Sequence, residues 1–463
     1  MSVTIRLPVR TKKLTVPEIE LVHGLGRPGC PVCERVDREE REYFFWLFCE
    51  NYSDPGFLER FEASMGFCRR HAAYALNRTD AASQLTFLYS NLAHHAGLQM
   101  THFGGGAGAS DLPSLSACPA CVSARFSASF ATRLLSSVLQ REERSAYGKP
   151  GVLCLPHLRA LAPALSPEIL RRVVTTHGWE LMSAKCILEA ANDGNGEAAA
   201  VSSVLRVTEL LVGTDPNPSG LYAAAPMNGR REPRDPVRQF ASSLEAPLAC
   251  PVCLEIRRAR REWIAWLRDA AATGPDISDL LPLCPEHLWA CVTTGSMTLA
   301  PAAVRNAFMQ ERSRVQRTFQ ALTALPRAQT PWKRLRGARK ASLRLASRAL
   351  QVLESCPPCP VCQRLDEAES RAIILLLALL QEGRHEAALE RGHGLCMPHF
   401  RRAMAEAGQK ERPRLIRLER AKIAALEWEL DEARRKGVWS SRPEARGEEQ
   451  RAWIRALRRF ATV

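Results

Sequence analysis

The chain is 463 residues long, 46% hydrophobic and 24% charged, which suits roughly two to four folded domains and excludes a charge-dominated disordered chain. Its formal net charge of +15 comes almost wholly from Arg. An acidic partner such as nucleic acid explains that excess, and so does an Arg- and Ala-rich genome. The longest apolar run, Ala372 to Leu380, is too short to span a bilayer, and Met1-Ser2-Val3-Thr4-Ile5-Arg6 opens no signal-peptide core. The expected location is a reducing cytoplasm.

Residues 1–28 are mixed in character and read as an N-terminal arm. Residues 29–103 form the first of four repeated segments. It opens on Cys30-Pro31-Val32-Cys33 and closes on Cys68-Arg69-Arg70-His71. Between them lie a charged amphipathic helix (Glu34 to about Glu50), a turn, and a short helix from Phe57 to Ser64. A longer helix follows, about Ala72 to Met100, with a break near Arg78-Thr79-Asp80. Gly104 to Gly108 is a linker into a second module, residues 112–191. That module carries Cys118, Cys121, Cys154 and His157 and ends in a helix near Ile169 to Ala191. Residues 192–245, rich in Gly, Pro and Asn, read as a flexible linker with one helix, Val201 to Val212.

Module three, residues 246–350, carries Cys250, Cys253, Cys284 and His287, and its first helix runs from Glu255 to about Ala272. Trp263 and Trp266 lie three apart there and read as core. Its basic region includes Lys333, Arg334, Arg336, Arg339 and Lys340, the candidate nucleic-acid contacts. Module four, residues 351–463, carries Cys359, Cys362, Cys396 and His399. It closes with a helix from about Pro413 to Lys436 and a basic helix from Glu448 to Phe460.

The residues between the second and third Cys number 34, 32, 30 and 33 in the four copies. Three thiolates and an imidazole form a closed tetrahedral set for structural zinc. In CxxC, two intervening residues let both sulfurs face one ion, and Pro stiffens the turn. In CxxH, Cys and His three apart share a helical face, so each CxxH is expected in a first helical turn, where the helix dipole favours thiolate. Each module is thereby expected to close its own site, CPxC answered by its own CxxH, for up to four zinc ions. The competing chemistries are iron–sulfur ligation, which usually uses four Cys though His can replace some, and a redox CxxC, which needs no CxxH at fixed distance. Cys49, Cys186 and Cys291 read as buried free thiols. Cys356 makes an overlapping CxxC with Cys359. The fold expected is all-α: four helical modules, each clamped by a Cys3His site, in two two-module halves.

The repeated CPxC…G(L/F)CxxH pattern resembles a group of bacterial proteins with one or more such modules, a domain family of unknown function. The match covers most of residues 28–187 and 248–435. Gly66, Gly151 and Gly394 precede their CxxH motifs, whereas Leu281-Pro282-Leu283 stands in module three. The resemblance implies a helical, metal-binding, cytoplasmic protein and brings no substrate.

No catalytic constellation is placed where it could work. The expected function is a non-enzymatic, zinc-binding scaffold or regulatory module with a protein or nucleic-acid partner. The alternatives are a nucleic-acid binder using its basic helices, and a thiol-redox or metal-responsive regulator.

Overall fold

Eight helices begin in the same way, and the motifs set how. Cys30, Cys118, Cys250 and Cys359 each precede a helix whose first residue is Pro: α2 (Pro31–Trp46), α6 (Pro119–Gln140), α11 (Pro251–Thr273) and α14 (Pro360–Gln381). Proline fits the first position because that N–H has no intrahelical acceptor. The CxxH motifs open α4 (Arg69–Leu76), α7 (Leu155–Leu161), α12 (Pro285–Thr293) and α16 (Met397–Glu406). Cys68, Cys154 and Cys396 are N-caps in extended conformation. In every motif the second ligand therefore occupies the third helical position, one turn above the first.

The computed structural model describes residues 14–27, 29–103, 115–140, 153–192, 197–214, 235–273, 282–293, 299–323, 358–383, 385–441 and 444–461. These residues contain 18 α-helices and no strand. Gly104–Gly108, Gly151, Cys356 and Lys333 to Lys340 lie outside the described residues.

Most of the remaining helices follow the expected pattern with shifted ends, but Val16–Gly24 and Pro236–Ser243 are helices in stretches where none was expected, the second capped by Asp235 and anchored by buried Phe240. After α2 the chain widens into a π-turn, Leu47–Asn51, before α3 (Pro55–Ala63), whose N-cap Asp54 accepts from the Phe57 amide at 2.7 Å. The expected break after the first CxxH is present. α4 stops at Leu76, Thr79–Ala81 forms a 3₁₀ turn, and α5 (Ala82–Phe103) resumes. α17 (Glu411–Lys436) starts two residues before Pro413, which sits third rather than first and is still within the turn that needs no amide partner.

The chain divides into two compact units, each gathered from separate stretches. One comprises Met1–Asp37, Ser127–Thr214 and Phe308–Cys356. In it α8 (Pro167–Asn192) and α7 pack on α9 (Glu197–Val212), burying Leu158, Val173, Val174, Val207 and Leu211. The other comprises Arg38–Phe126, Asp215–Ala307 and Pro357–Val463. Its core is centred on α5 against α17 and α11 against α14, with α18 (Ala452–Phe460) laid across α4 and α5. Phe44, Phe61, Phe67 and Tyr89 form its aromatic centre. No helix among the described residues is long and apolar enough to cross a membrane.

Candidate metal centres

All sixteen candidate ligands come together in four groups of three Cys and one His, but the pairing differs from the expected one. The groups are Cys30–Cys33–Cys154–His157, Cys68–His71–Cys118–Cys121, Cys250–Cys253–Cys396–His399 and Cys284–His287–Cys359–Cys362. Each joins the CPxC of one module to the CxxH of the neighbouring module in the same half. The expectation that each module closes its own site is thus corrected: the modules exchange ligands reciprocally. Spacing along the chain could not reveal this, because a constant gap within a module is equally compatible with either pairing.

In every group the imidazole presents Nδ1 to the sulfurs. The Nδ1–Sγ separations run from 3.1 to 3.5 Å in the first group and from 3.3 to 3.5 Å in the second. They run from 3.0 to 3.6 Å in the third and from 3.2 to 3.5 Å in the fourth. The recorded Sγ–Sγ contacts are 3.5 to 3.7 Å. A tetrahedral ion with bonds of about 2.0–2.3 Å has ligand–ligand edges of about 3.5–3.8 Å. The donors fit a single such ion, and the sulfurs are too far apart for disulfides, whose S–S bond is about 2.05 Å.

The crowded sulfurs and imidazole also strongly perturb one another's protonation. In the second group, hydrogen bonds from Cys118 and Cys121 hold the Cys68 thiol far below its ordinary range, while the same crowding by Cys118 and Cys68 holds Cys121 far above it. Burial works against a charged His71, yet Cys118, Cys68 and Glu40 raise it to about 11. A bound divalent ion would let all three sulfurs be thiolates.

Several supporting residues have no motif of their own. His71 Nε2 lies 3.2 Å from Glu40 Oε1, and Arg70 holds Glu40 at 2.6 Å. His399 Nε2 lies 3.5 Å from Glu369 Oε1, and Arg402 holds Glu369 at 2.7 Å. Gly213, with φ +85°, follows α9 and brings its backbone against the first group; a Cβ there would sit 3.3 Å from Cys33 Sγ. Gly66 and Gly394 have φ of +90° and +77°, which explains glycine two residues before those CxxH motifs.

Other sequence readings are revised. Cys291 is buried, but Cys49 and Cys186 are exposed. The Trp263–Trp266 pair stacks at 4.7 Å with Trp266 46% exposed and Arg364 over Trp263, a surface stack rather than core. Basic side chains of the C-terminal region are engaged internally: Arg455 with Glu429, Arg435 with Glu432 and Glu444, and Arg459 with Glu419. A groove of about 870 Å³ runs beside Cys118, lined by Tyr43, Trp46, Val122 and Phe126 together with Glu39, Glu42, Asp54 and Arg60.

Comparison with family models, curated proteins and solved structures returned no match. The family resemblance therefore rests on the motifs alone, and the site chemistry carries the functional argument.

Proposed function

We propose that the chain is a zinc-stabilised, all-helical binding or scaffold protein of a reducing cytoplasm, with no catalytic role. The observation that carries this is four Cys3His groups whose ligand atoms each lie within 4.8 Å of one another, the span of one ion's ligand shell. That span supports single zinc ions over iron–sulfur clusters. A catalytic zinc keeps one position open, and each group here already offers four donors. The module boundaries read from the sequence remain part of this proposal, with zinc cross-linking each pair of modules.

The binding part of the reading is supported by the groove beside Cys118. Its lining carries three carboxylates and one guanidinium on a chain whose net charge is +15. Exposed Trp46, Val122 and Phe126 supply an apolar wall. Charge complementarity and that wall suit a basic segment of a protein partner with an aromatic or aliphatic anchor.

Elemental analysis of protein purified without added metal tests the zinc reading. The expected result is about four zinc per chain, with loss of cooperative helical structure after full chelation, since binding energy is folding energy in such sites. A chain that purifies with iron, or stays cooperatively folded without metal, overturns it. The nucleic-acid reading now rests on Lys333, Arg334, Arg336, Arg339 and Lys340. It predicts binding that weakens steeply with salt.

A further inference from the structure

When a metal binds Nδ1 of an imidazole, Nε2 carries the proton and needs an acceptor. The four groups differ at that nitrogen. His71 has Glu40 at 3.2 Å and His399 has Glu369 at 3.5 Å, each carboxylate fixed by an Arg. Glu40 and Glu369 occupy one equivalent position, seven residues after the second Cys of a CPxC (Cys33 and Cys362). The same position holds Ala128 after Cys121 and Arg260 after Cys253. Neither offers an acceptor: alanine has no polar atom and a guanidinium only donates. In module three the consequence is visible, because His287 is 2% exposed and its buried Nε2 has no hydrogen-bond partner among the described residues.

The carboxylate contact lies within a module, whereas the metal ligands are exchanged between modules. Glu40 belongs to the same segment as His71, although the CPxC of that segment serves a different group. Glu40 thus braces His71 from α2, the helix whose own first turn carries Cys33. Thiol access differs as well. Cys250, Cys253 and Cys396 are all buried, whereas Cys284 and Cys362, like Cys68 and Cys121, are half-buried. Access to the sulfurs sets how readily chelators and oxidants reach them.

We propose that the four metal sites are of unequal strength: Glu40 and Glu369 are positioning residues that fix His71 and His399 as ligands, and the Cys284–His287–Cys359–Cys362 site releases its metal first. The inference rests on the metal reading above. It assigns any metal-responsive behaviour of this chain to one site while the fully buried Cys250–Cys253–Cys396–His399 group holds the core.

The test is metal release from the zinc-loaded full chain into excess 4-(2-pyridylazo)resorcinol, followed by absorbance, with helicity read in parallel. The expected course is multiphasic, with one equivalent leaving first and that phase absent in a Cys284→Ser/Cys362→Ser chain. Glu369→Ala should accelerate one slow equivalent by roughly 10–100-fold, the usual cost of losing such a partner, at unchanged helicity. Glu369→Gln, which keeps an oxygen acceptor, should restore slow release. Release of all equivalents in one phase, or an unchanged profile in Glu369→Ala, overturns the proposal while leaving the zinc reading intact. Absence of metal in the purified chain overturns the zinc reading itself and this inference with it.

Discussion

The guanidinium of Arg459 donates to the carbonyl of Leu395 at 2.9 Å, one residue before the candidate ligand Cys396. The same group donates to the His393 carbonyl and pairs with Glu419. Gly394 takes its positive φ between these two anchored carbonyls, and Lys422 holds Gly392 O at 2.7 Å. A C-terminal helix far along the chain thus shapes the loop that delivers a cysteine. Arg459 is 4% exposed and Glu419 2%, and burial raises the Glu419 carboxyl. Arg459→Ala would strand that carboxylate and free two carbonyls. The expected loss is roughly 3–5 kcal/mol by chemical denaturation, the range for breaking a buried pair. Arg459→Met combined with Glu419→Leu should recover much of it, because the buried charge is then gone from both sides.

Reciprocal exchange of ligands gives a stoichiometric prediction. Replacing Cys30 and Cys33 with Ser removes one site, and adding Cys154→Ser and His157→Ala removes nothing more, because all four belong to one group. Combining the Cys30 and Cys33 changes with Cys68→Ser and His71→Ala should cost two metal ions. Elemental analysis of the two combined variants distinguishes the arrangements, since self-contained modules would give the opposite order.

Gly213 makes the first group sensitive to a single methyl. Its φ of +85° strains any side chain, and a Cβ would press on Cys33 Sγ at 3.3 Å and Cys154 Sγ at 3.6 Å. Gly213→Ala should destabilise by about 1 kcal/mol or more from the backbone alone. It should also speed release of one metal equivalent, read by the same chelator assay, while Gly383→Ala serves as a control for backbone strain. Gly383 has φ +72° with nothing among the described residues within 4 Å of where its Cβ would sit.

The helices and the candidate ligands were legible in the sequence because short-range chemistry fixes them. Proline after each first Cys and the i, i+3 spacing dictate where each helix starts. The break at Asn77–Ala81 follows from Arg78-Thr79-Asp80, and the apolar side of α17 from Leu415, Leu418, Ile423, Leu426 and Leu430, all buried. The partner of each motif was not legible, because ligand exchange is decided by which helices pack together. Glu40 and Glu369 were hidden among the carboxylates of charged helices, although their equal distance from Cys33 and Cys362 is a signal the repeats contain. Cys49 and Trp266 read as core from apolar neighbours, but each lies on the solvent side of its helix.

Binding in the groove predicts a charge-selective response. A labelled twelve-residue peptide alternating Leu and Arg should bind the zinc-loaded chain, and one alternating Leu and Glu should not. Glu39→Lys with Glu42→Lys should weaken binding at least tenfold by fluorescence anisotropy, and Trp46→Ala should do so by removing the apolar anchor. Equal binding of both peptides, or binding insensitive to these changes, would exclude this groove as the docking site.

His177 supplies a pH test away from the metal ligands. It is 0% exposed, and neither ring nitrogen has a hydrogen-bond partner among the described residues. Burial first, and then the charge of Arg159, push it down to about 4 from an ordinary value of 6.5. The folded chain therefore keeps this imidazole neutral, while the unfolded chain takes up a proton as pH falls below about 6.5. Stability from this group is complete above pH 6.5 and is lost as pH falls toward 4, by roughly 3 kcal/mol across the window. Metal release in acid adds its own loss over the same range, so the readout is a difference between two chains. His177→Leu should leave stability at pH 7.5 unchanged or slightly raised, since it removes two unsatisfied nitrogens. It should also flatten the fall between pH 6.5 and 4 relative to the unmodified chain. Parallel pH profiles for the two proteins, measured by denaturant midpoint at matched zinc content, would show that His177 does not titrate in this way.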